Sequence, residues 1–284
     1  LPTGSVLSSV RCDSVDLDAF SDFLRDGLHR SPVTAQKYRR LLRKFFDCED
    51  EISRESIMRY LKALRDKTAT KANFLKGLFR LCKDYLGRPD LVVGFRIPKI
   101  KCGLKEALAD ADVRRGFELL RDIRQRALYI MYATTGVRRT ELLKAKLEDL
   151  DLEARVLRID HESETKKAGV AVFNEEARHV LKEWLKDRAE RLKGRGPPSD
   201  RLFPMDTREF KAIWKRLRQA GLQITPKELR FWHSTKLGEL RVPDRYVDIL
   251  QGRAPLTVLQ KHYTGTGLET LKKIYDEAGL KVLN

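Results

Sequence analysis

Near its C-terminus the chain reads LQKHYTG over residues 259–265, placing Tyr263 beside Lys261 and His262 and ahead of a threonine and a glycine. Nothing around Tyr263 has a helical or strand period, so it is either a surface tyrosine in a basic tail or a nucleophile. A phenol has a reference pKa of about 10, so a nucleophilic tyrosine needs cations beside it to ease loss of its proton. The chain supplies cations at four other places. GVRRTELL sets Arg138 just past an apolar run at a helix start, where backbone N–H groups and a guanidinium fork suit a phosphate; the other reading is that Arg138 only pairs with Glu141. Lys166 and Lys167 sit in HESETKKA between two strand-like runs, where they either solvate or reach into a groove and donate a proton. Lys227 and Arg230 lie three apart at the start of a helix opened by Thr225-Pro226, where two cations oppose the helix dipole unless an anion is bound. Arg253 stands in the turn QGRAP, ten residues before Tyr263.

Metal chemistry finds no support in the pattern. Cys12, Cys48, Cys82 and Cys102 are scattered, none forms a CxxC pair, and no histidine stands at a ligand spacing from them. No metal and no cofactor is expected. Cys48 and Cys82 fall in helical patterns and read as core fillers, and the chain reads as reduced, intracellular and cytoplasmic. No apolar run approaches the ~20 residues of a membrane span. The 58 Lys and Arg against 41 Asp and Glu leave a net charge of +17, a surplus that points to a polyanionic partner, first of all nucleic acid.

Such residues need a scaffold. Leu17, Phe20, Leu24 and Leu28 recur at helical spacing; so do Tyr38, Leu41, Leu42 and Phe45, entered through Ser31-Pro32 and Thr34. Ile57, Tyr60, Leu61 and Leu64 form a third set behind Ser53, and Leu75, Leu78, Phe79 and Cys82 a fourth. Four amphipathic helices make a small bundle over residues 14–86, preceded by a tail over 1–13. The second helix carries Lys37, Arg39, Arg40, Arg43 and Lys44, a face for DNA phosphates. Residues 87–106, with Gly, two prolines and no period, read as a linker. A second domain occupies 107–284: Asp112 as a helix cap, a buried run over 124–135 ended by Gly136, a further helix from RRTELLKAKLEDL, and a hairpin of RVLRID and GVAVF. Helices resume at Glu175–Arg191 and continue to the end. Tyr246 and Tyr275 lie among apolar neighbours and read as packing residues.

In order along the chain, GVRRTELL resembles the first-arginine box of the tyrosine recombinases, the phage-integrase family. ITPKELRFWHSTKL resembles their second box, and QGRAPLTVLQKHYTG the third, which ends in the nucleophile. The resemblance runs from about residue 14 to 275. It implies a mainly α fold with a small antiparallel sheet: an N-terminal four-helix core-binding domain and a C-terminal catalytic domain. It implies site-specific cutting and rejoining of DNA through a 3′-phosphotyrosine, without metal or ATP. Tyr263 is then the nucleophile, Arg138, Arg230 and Arg253 hold the phosphate, and Lys166, or else Lys167, protonates the leaving 5′-oxygen. Lys227 assists deprotonation of Tyr263 or binds phosphate, and Glu141 braces the first box.

The chain has Lys227 where the family usually has His and Arg253 where it usually has His or Trp. In this it is similar to integrases of archaeal spindle-shaped viruses and related plasmids, and integration of such a genome is the expected use. Phe231, after Arg230, is given no role. The implied partners are double-stranded DNA attachment sites and three further copies of the chain in a tetramer on DNA, with a monomer or weak oligomer when free. The segment after Tyr263 could dock on a neighbouring copy. A type IB topoisomerase-like enzyme and a non-catalytic DNA-binding protein of the same fold are the alternatives.

Overall fold

Helix starts in this chain are set by short polar side chains. Ser31 accepts the Thr34 N–H ahead of Pro32, Ser53 and Ser56 cap each other's backbone, and Asp16, Asp122, Asn174, Asp206 and Thr225 each accept an N–H of the first turn that follows. The computed structural model describes residues 9–100, 103, 105–159, 169–193, 199–253 and 267–283. It divides into two compact units, Leu1–Leu104 and Lys105–Asn284.

The first unit holds α1 (Leu17–Asp22, continued by a wider π turn to Gly27), α2 (Pro32–Phe46), α3 (Arg54–Ala63) and α4 (Thr68–Phe79, likewise continued to Tyr85). This is the expected four-helix bundle. Its centre is aromatic: Phe45, Tyr60 and Phe74 lie with ring centroids 4.8–5.3 Å apart. Such pairs stabilise by roughly 0.5–1.5 kcal/mol each beyond their burial. Two expectations are corrected here. Part of the expected tail is ordered: β1 (Val10–Arg11) pairs antiparallel with β2 (Glu51–Ile52), and Cys12 is buried. Part of the expected linker belongs to the bundle, because Leu91 and Val92, in a 3-10 turn over Pro89–Val92, are buried in its core. Cys82 is buried as expected, but Cys48 is exposed, since it falls just past the last turn of α2.

The second unit is built around α6 (Ile123–Thr135), whose residues from Ala127 to Thr135 are all buried. A helix apolar on every side must be covered on every side. Its neighbours are α5 (Asp110–Glu118), α7 (Arg139–Lys144), α8 (Glu175–Leu192), α10 (Pro226–Glu239) and a strand of the small sheet. Asp112 lies inside the first turn of α5 rather than capping it; Ala109 holds the cap position. The RRTELLKAKLEDL segment is split: α7 ends at Lys144, and the chain turns into β3 (Leu150–Asp151). The sheet runs β3-β4-β5 with β4 (Val156–Arg158) and β5 (Val170–Val172) antiparallel, pairing Leu157 with Ala171. This is the predicted hairpin with one strand added. Then come α9 (Thr207–Gln219), α11 (Asp244–Leu250) and α12 (Leu268–Ala278).

The C-terminal segment, expected to be available to a neighbouring copy, packs on its own unit. Leu271, Tyr275, Leu280 and Val282 are buried, the Tyr275 hydroxyl donates to the Thr134 carbonyl at 2.7 Å, and Glu176 accepts the backbone N–H groups of Val282 and Leu283. Tyr275 is thus a packing residue, as read from the sequence. Among the described residues no helix is long and apolar enough to cross a membrane.

Candidate active site

Gly136 is where the site begins. It ends α6 in the left-handed conformation, φ 60°, with its N–H on the Tyr132 carbonyl. The chain reverses through buried Val137 and starts α7 at Arg138. The Arg138 N–H donates to Glu141 Oε2 and its guanidinium to Glu141 Oε1, both at 2.8 Å, while the same NH1 donates to the Gly252 carbonyl at 3.1 Å. Of the two sequence readings of Arg138, the pairing with Glu141 is the one seen here, and it does not exhaust the guanidinium. It pairs with Glu141, and it also joins the start of α7 to the turn after α11.

Arg230 lies in the second turn of α10 and donates to the Gly136 carbonyl at 2.6 Å. Behind it, Gln251 donates to the Arg230 carbonyl at 2.9 Å and meets Nδ1 of His233 at 2.8 Å. A carbonyl only accepts, so the amide nitrogen of Gln251 must face both groups, and His233 accepts at Nδ1 and carries its proton on Nε2. His233 is fully buried. Burial first, then the Arg230 charge, push its pKa down to about 3, against a smaller opposing influence of the Thr134 carbonyl, so the ring is neutral.

Gln251 and Gly252 also shape the third arginine. Gly252 is left-handed, φ 63°, and closes α11 so that the Arg253 N–H returns to the Asp248 carbonyl at 2.8 Å. The Arg253 guanidinium meets Asp248 Oδ1 at 3.1 Å. The three arginines share one electrostatic neighbourhood: burial first, then the charges of Arg138 and Arg253, lower the Arg230 pKa to about 10, with Glu141 and Asp248 opposing. Arg230 nevertheless stays protonated at neutral pH, and a group of fixed guanidiniums suits a phosphate whose negative charge grows in a transition state.

Lys227 is exposed in the first turn of α10 and makes no hydrogen bond or ion pair among the described residues. The dipole penalty expected there is already eased by Glu228, which accepts from the Thr225 hydroxyl and from Lys105 Nζ at 2.7 Å. Phe231 lies under Lys105, 5.5 Å from nitrogen to ring centroid. Lys166, Lys167 and Tyr263 lie outside the described residues.

On the first unit, Arg40, Arg43 and Lys44 are exposed along α2. Lys37 instead donates to Asn73 at 2.7 Å, and Arg39 is paired with Asp18 at 2.6 Å. His233 and Asp248 are site-building residues that the sequence reading passes over, and Gly136 and Gln251 enter it only as a helix end and as part of a turn. The one available signal was their position: His233 follows Arg230 by three, and Gln251 and Asp248 precede Arg253 in the same short helix and turn.

Known proteins resemble this chain over most of its length. Residues 108–266, more than half of the chain, match the model of the phage integrase family. Tyrosine recombinase XerA of Thermococcus kodakarensis is 26% identical over 261 residues, covering 88% of this chain and 91% of its own. Tyrosine recombinase XerC of Azotobacter vinelandii is 28% identical over 296 residues, covering 93% and 95%. Among solved structures, a lambda integrase tetramer bound to a Holliday junction superposes with a TM-score of 0.64 at 16% identity, covering 95% of this chain and 80% of that one. The Tn1549 transposon integrase in complex with transposon right-end DNA gives 0.61 at 15%, covering 93% and 99%.

Proposed function

Since the chain belongs to the phage integrase family and is a tyrosine-type site-specific DNA recombinase, we propose that Tyr263 attacks a scissile DNA phosphate held by Arg138, Arg230 and Arg253. The tyrosine oxygen forms a bond to phosphorus as the bond to the 5′-oxygen breaks. The tyrosine gives up its proton, and the 5′-oxygen takes one from Lys166, with Lys167 as the other candidate. The product is a 3′-phosphotyrosine and a free 5′-hydroxyl. Because the phosphodiester energy stays in the covalent link, a second 5′-hydroxyl reverses the step without metal or ATP. Lys227 either binds phosphate or eases ionisation of Tyr263, and the clustered cations favour the phenolate.

The observation that carries this reading is the cross-bonding of the three boxes. Arg138 donates to Gly252, and Arg230 donates to Gly136, so these two arginines are each held by the backbone of another box. Fixed donors need no reorganisation when charge develops on the phosphate. The basic face of α2 supplies non-specific grip on the duplex through Arg40, Arg43 and Lys44, with Lys37 and Arg39 joining once released from Asn73 and Asp18. Four copies on two duplexes complete an exchange, and joining a viral or plasmid genome to a host replicon is the use proposed for it.

The test is a library of nicked duplexes with randomised arms, incubated with the full chain and resolved on a denaturing gel. A covalent adduct is expected with wild type and none with Tyr263→Phe; an adduct that survives Tyr263→Phe refutes the nucleophile. The recovered sites, placed on two plasmids or on one, then separate integration from resolution, and loss of supercoils without any site would mark a topoisomerase.

A further inference from the structure

Asp248 has no part in the chemistry above, yet it lies among the cations of the site. α11 ends in a left-handed glycine, and the next residue folds back so that the Arg253 N–H closes on the Asp248 carbonyl at 2.8 Å. That closure fixes the backbone of Arg253 beside the last turn. Its side chain still has four torsions to settle, and it is 43% exposed. Asp248 is the more enclosed partner, with 19% of its side chain exposed, and it touches the guanidinium through a single NH1 to Oδ1 contact at 3.1 Å. The other guanidinium N–H groups make no hydrogen bond among the described residues. One N–H tied to a half-buried carboxylate, with the rest facing outward, orients a guanidinium while leaving it able to bind an anion. The Asp248 charge also reaches Arg230, where it opposes the repulsion from Arg138 and Arg253.

We propose that Asp248 is a positioning residue of the phosphate site: it holds the Arg253 guanidinium toward the scissile phosphate by one N–H before DNA binds. The inference rests on the reading of Arg253 as a phosphate contact. It assigns Asp248 no contact with DNA, so its loss acts on cleavage through Arg253 alone.

Two measurements test it on the full chain. The first needs no activity. In ¹H–¹⁵N spectra of the arginine side chains, with Arg253→Lys to assign the signal, the Arg253 Nε–H should be resolved in wild type and shift on titration with inorganic phosphate. In Asp248→Asn it should broaden into exchange with water. The second is single-turnover adduct formation on a nicked duplex recovered with wild type. Asp248→Asn and Asp248→Ala should slow cleavage on the order of tenfold to a hundredfold, the usual cost of a lost charge-assisted hydrogen bond, with DNA affinity changed less than about threefold. In the Arg253→Ala background the Asp248 substitutions should cost nothing further. On a duplex with a methylphosphonate at the scissile position, which lacks one of the charged oxygens, the Asp248 defect should shrink. Asp248→Asn keeps the shape and an acceptor, so it carries the test where Asp248→Ala fails to fold. A defect in Arg253→Ala with none in Asp248→Asn overturns this proposal alone, as does an Asp248 defect of equal size without Arg253. Wild-type cleavage by Arg253→Ala overturns the parent reading of Arg253, and this one with it.

Discussion

Gly136→Ala should disable the site through geometry alone. A Cβ at this position would stand 2.7 Å from His233 Nδ1, 2.8 Å from Gln251 Nε2 and 3.0 Å from His233 Cγ. Neither neighbour can swing aside, because His233 is 0% and Gln251 2% exposed. The alanine must also adopt φ near the 60° of the glycine, which costs about 1–2 kcal/mol for a residue with a Cβ. Moving Gln251 breaks its bonds to the Arg230 carbonyl and to His233. Each is worth about 1 kcal/mol net, and an orphaned buried partner about 1–3 kcal/mol. The total is about 4–7 kcal/mol.

Gly221→Ala is the matched control. Its φ is 86° and its Cβ would meet nothing within 4 Å, so it carries the conformational cost without the collision. The difference between the two variants, about 3–5 kcal/mol, should appear as a melting temperature about 6–20 °C lower for Gly136→Ala in a unit of this size. At temperatures where both remain folded, single-turnover cleavage should fall at least about a hundredfold for Gly136→Ala, because its carbonyl holds Arg230 and a displaced guanidinium costs as much as a lost transition-state donor. A Gly136→Ala protein that melts within about 2 °C of Gly221→Ala and cleaves like wild type would refute the reasoning.

Four further outcomes follow from the same contacts. The His233 pKa is held at about 3 against an ordinary 6.5, so the unfolded chain binds the extra proton between these values; stability is full above about pH 6.5 and falls toward pH 3. Per pH unit the loss is roughly 1.4 kcal/mol, and melts of the His233→Phe/Gln251→Leu double variant should lack it, so parallel pH curves would disprove the assignment. Tyr275→Phe should lose about 1–2 kcal/mol in denaturant melts, because the Thr134 carbonyl loses its buried donor, while adduct formation persists. Arg40→Ala, Arg43→Ala and Lys44→Ala should each lower the salt slope of DNA binding by about 0.9, as followed by fluorescence anisotropy; Arg39→Ala, already neutralised by Asp18, should do less. A chain ending at residue 266 should lose cooperative folding of the second unit in thermal melts, because Leu271, Tyr275, Leu280 and Val282 complete its core; a wild-type melt would show that the segment is dispensable for folding.

The legible parts of this fold are the ones written locally. The run over 124–135 and Gly136 announce a buried helix and its end, and Ser31-Pro32, Ser53 and Thr225-Pro226 announce helix starts, because caps and turns act within four residues of themselves. The two-residue strand Val10–Arg11 is too short to show a period, and Asp112 looks like a cap only while the true start two residues earlier is unseen. The periodicity of α12 showed that it has an apolar face, and said nothing of which surface covers that face. Arg138, Arg230 and Arg253 could be nominated by residue type and order. Their partners could not: Gly136 is 94 residues from Arg230, and Gly252 is 114 from Arg138. His233 sits behind Phe231 and Trp232, where nothing in the sequence separates a hydrogen-bonded ring from an apolar filler.

The three arginines are not held alike, and the difference bears on which of them would attract an anion most strongly. Arg138 carries Glu141, and Arg253 carries Asp248. Arg230 has no carboxylate within ion-pairing distance among the described residues; its guanidinium donates to the Gly136 carbonyl, a dipole and not a charge. A buried cation is costly unless paired, and the lowered pKa of Arg230 expresses that cost. An anion docked against Arg230 would offset that cost and raise its pKa again. The flanking arginines gain less, since each must share its guanidinium with a carboxylate already present. The positive charge left without a carboxylate thus falls on Arg230, whose carbonyl accepts from Gln251, and under the proposed mechanism a phosphate would meet its strongest attraction there.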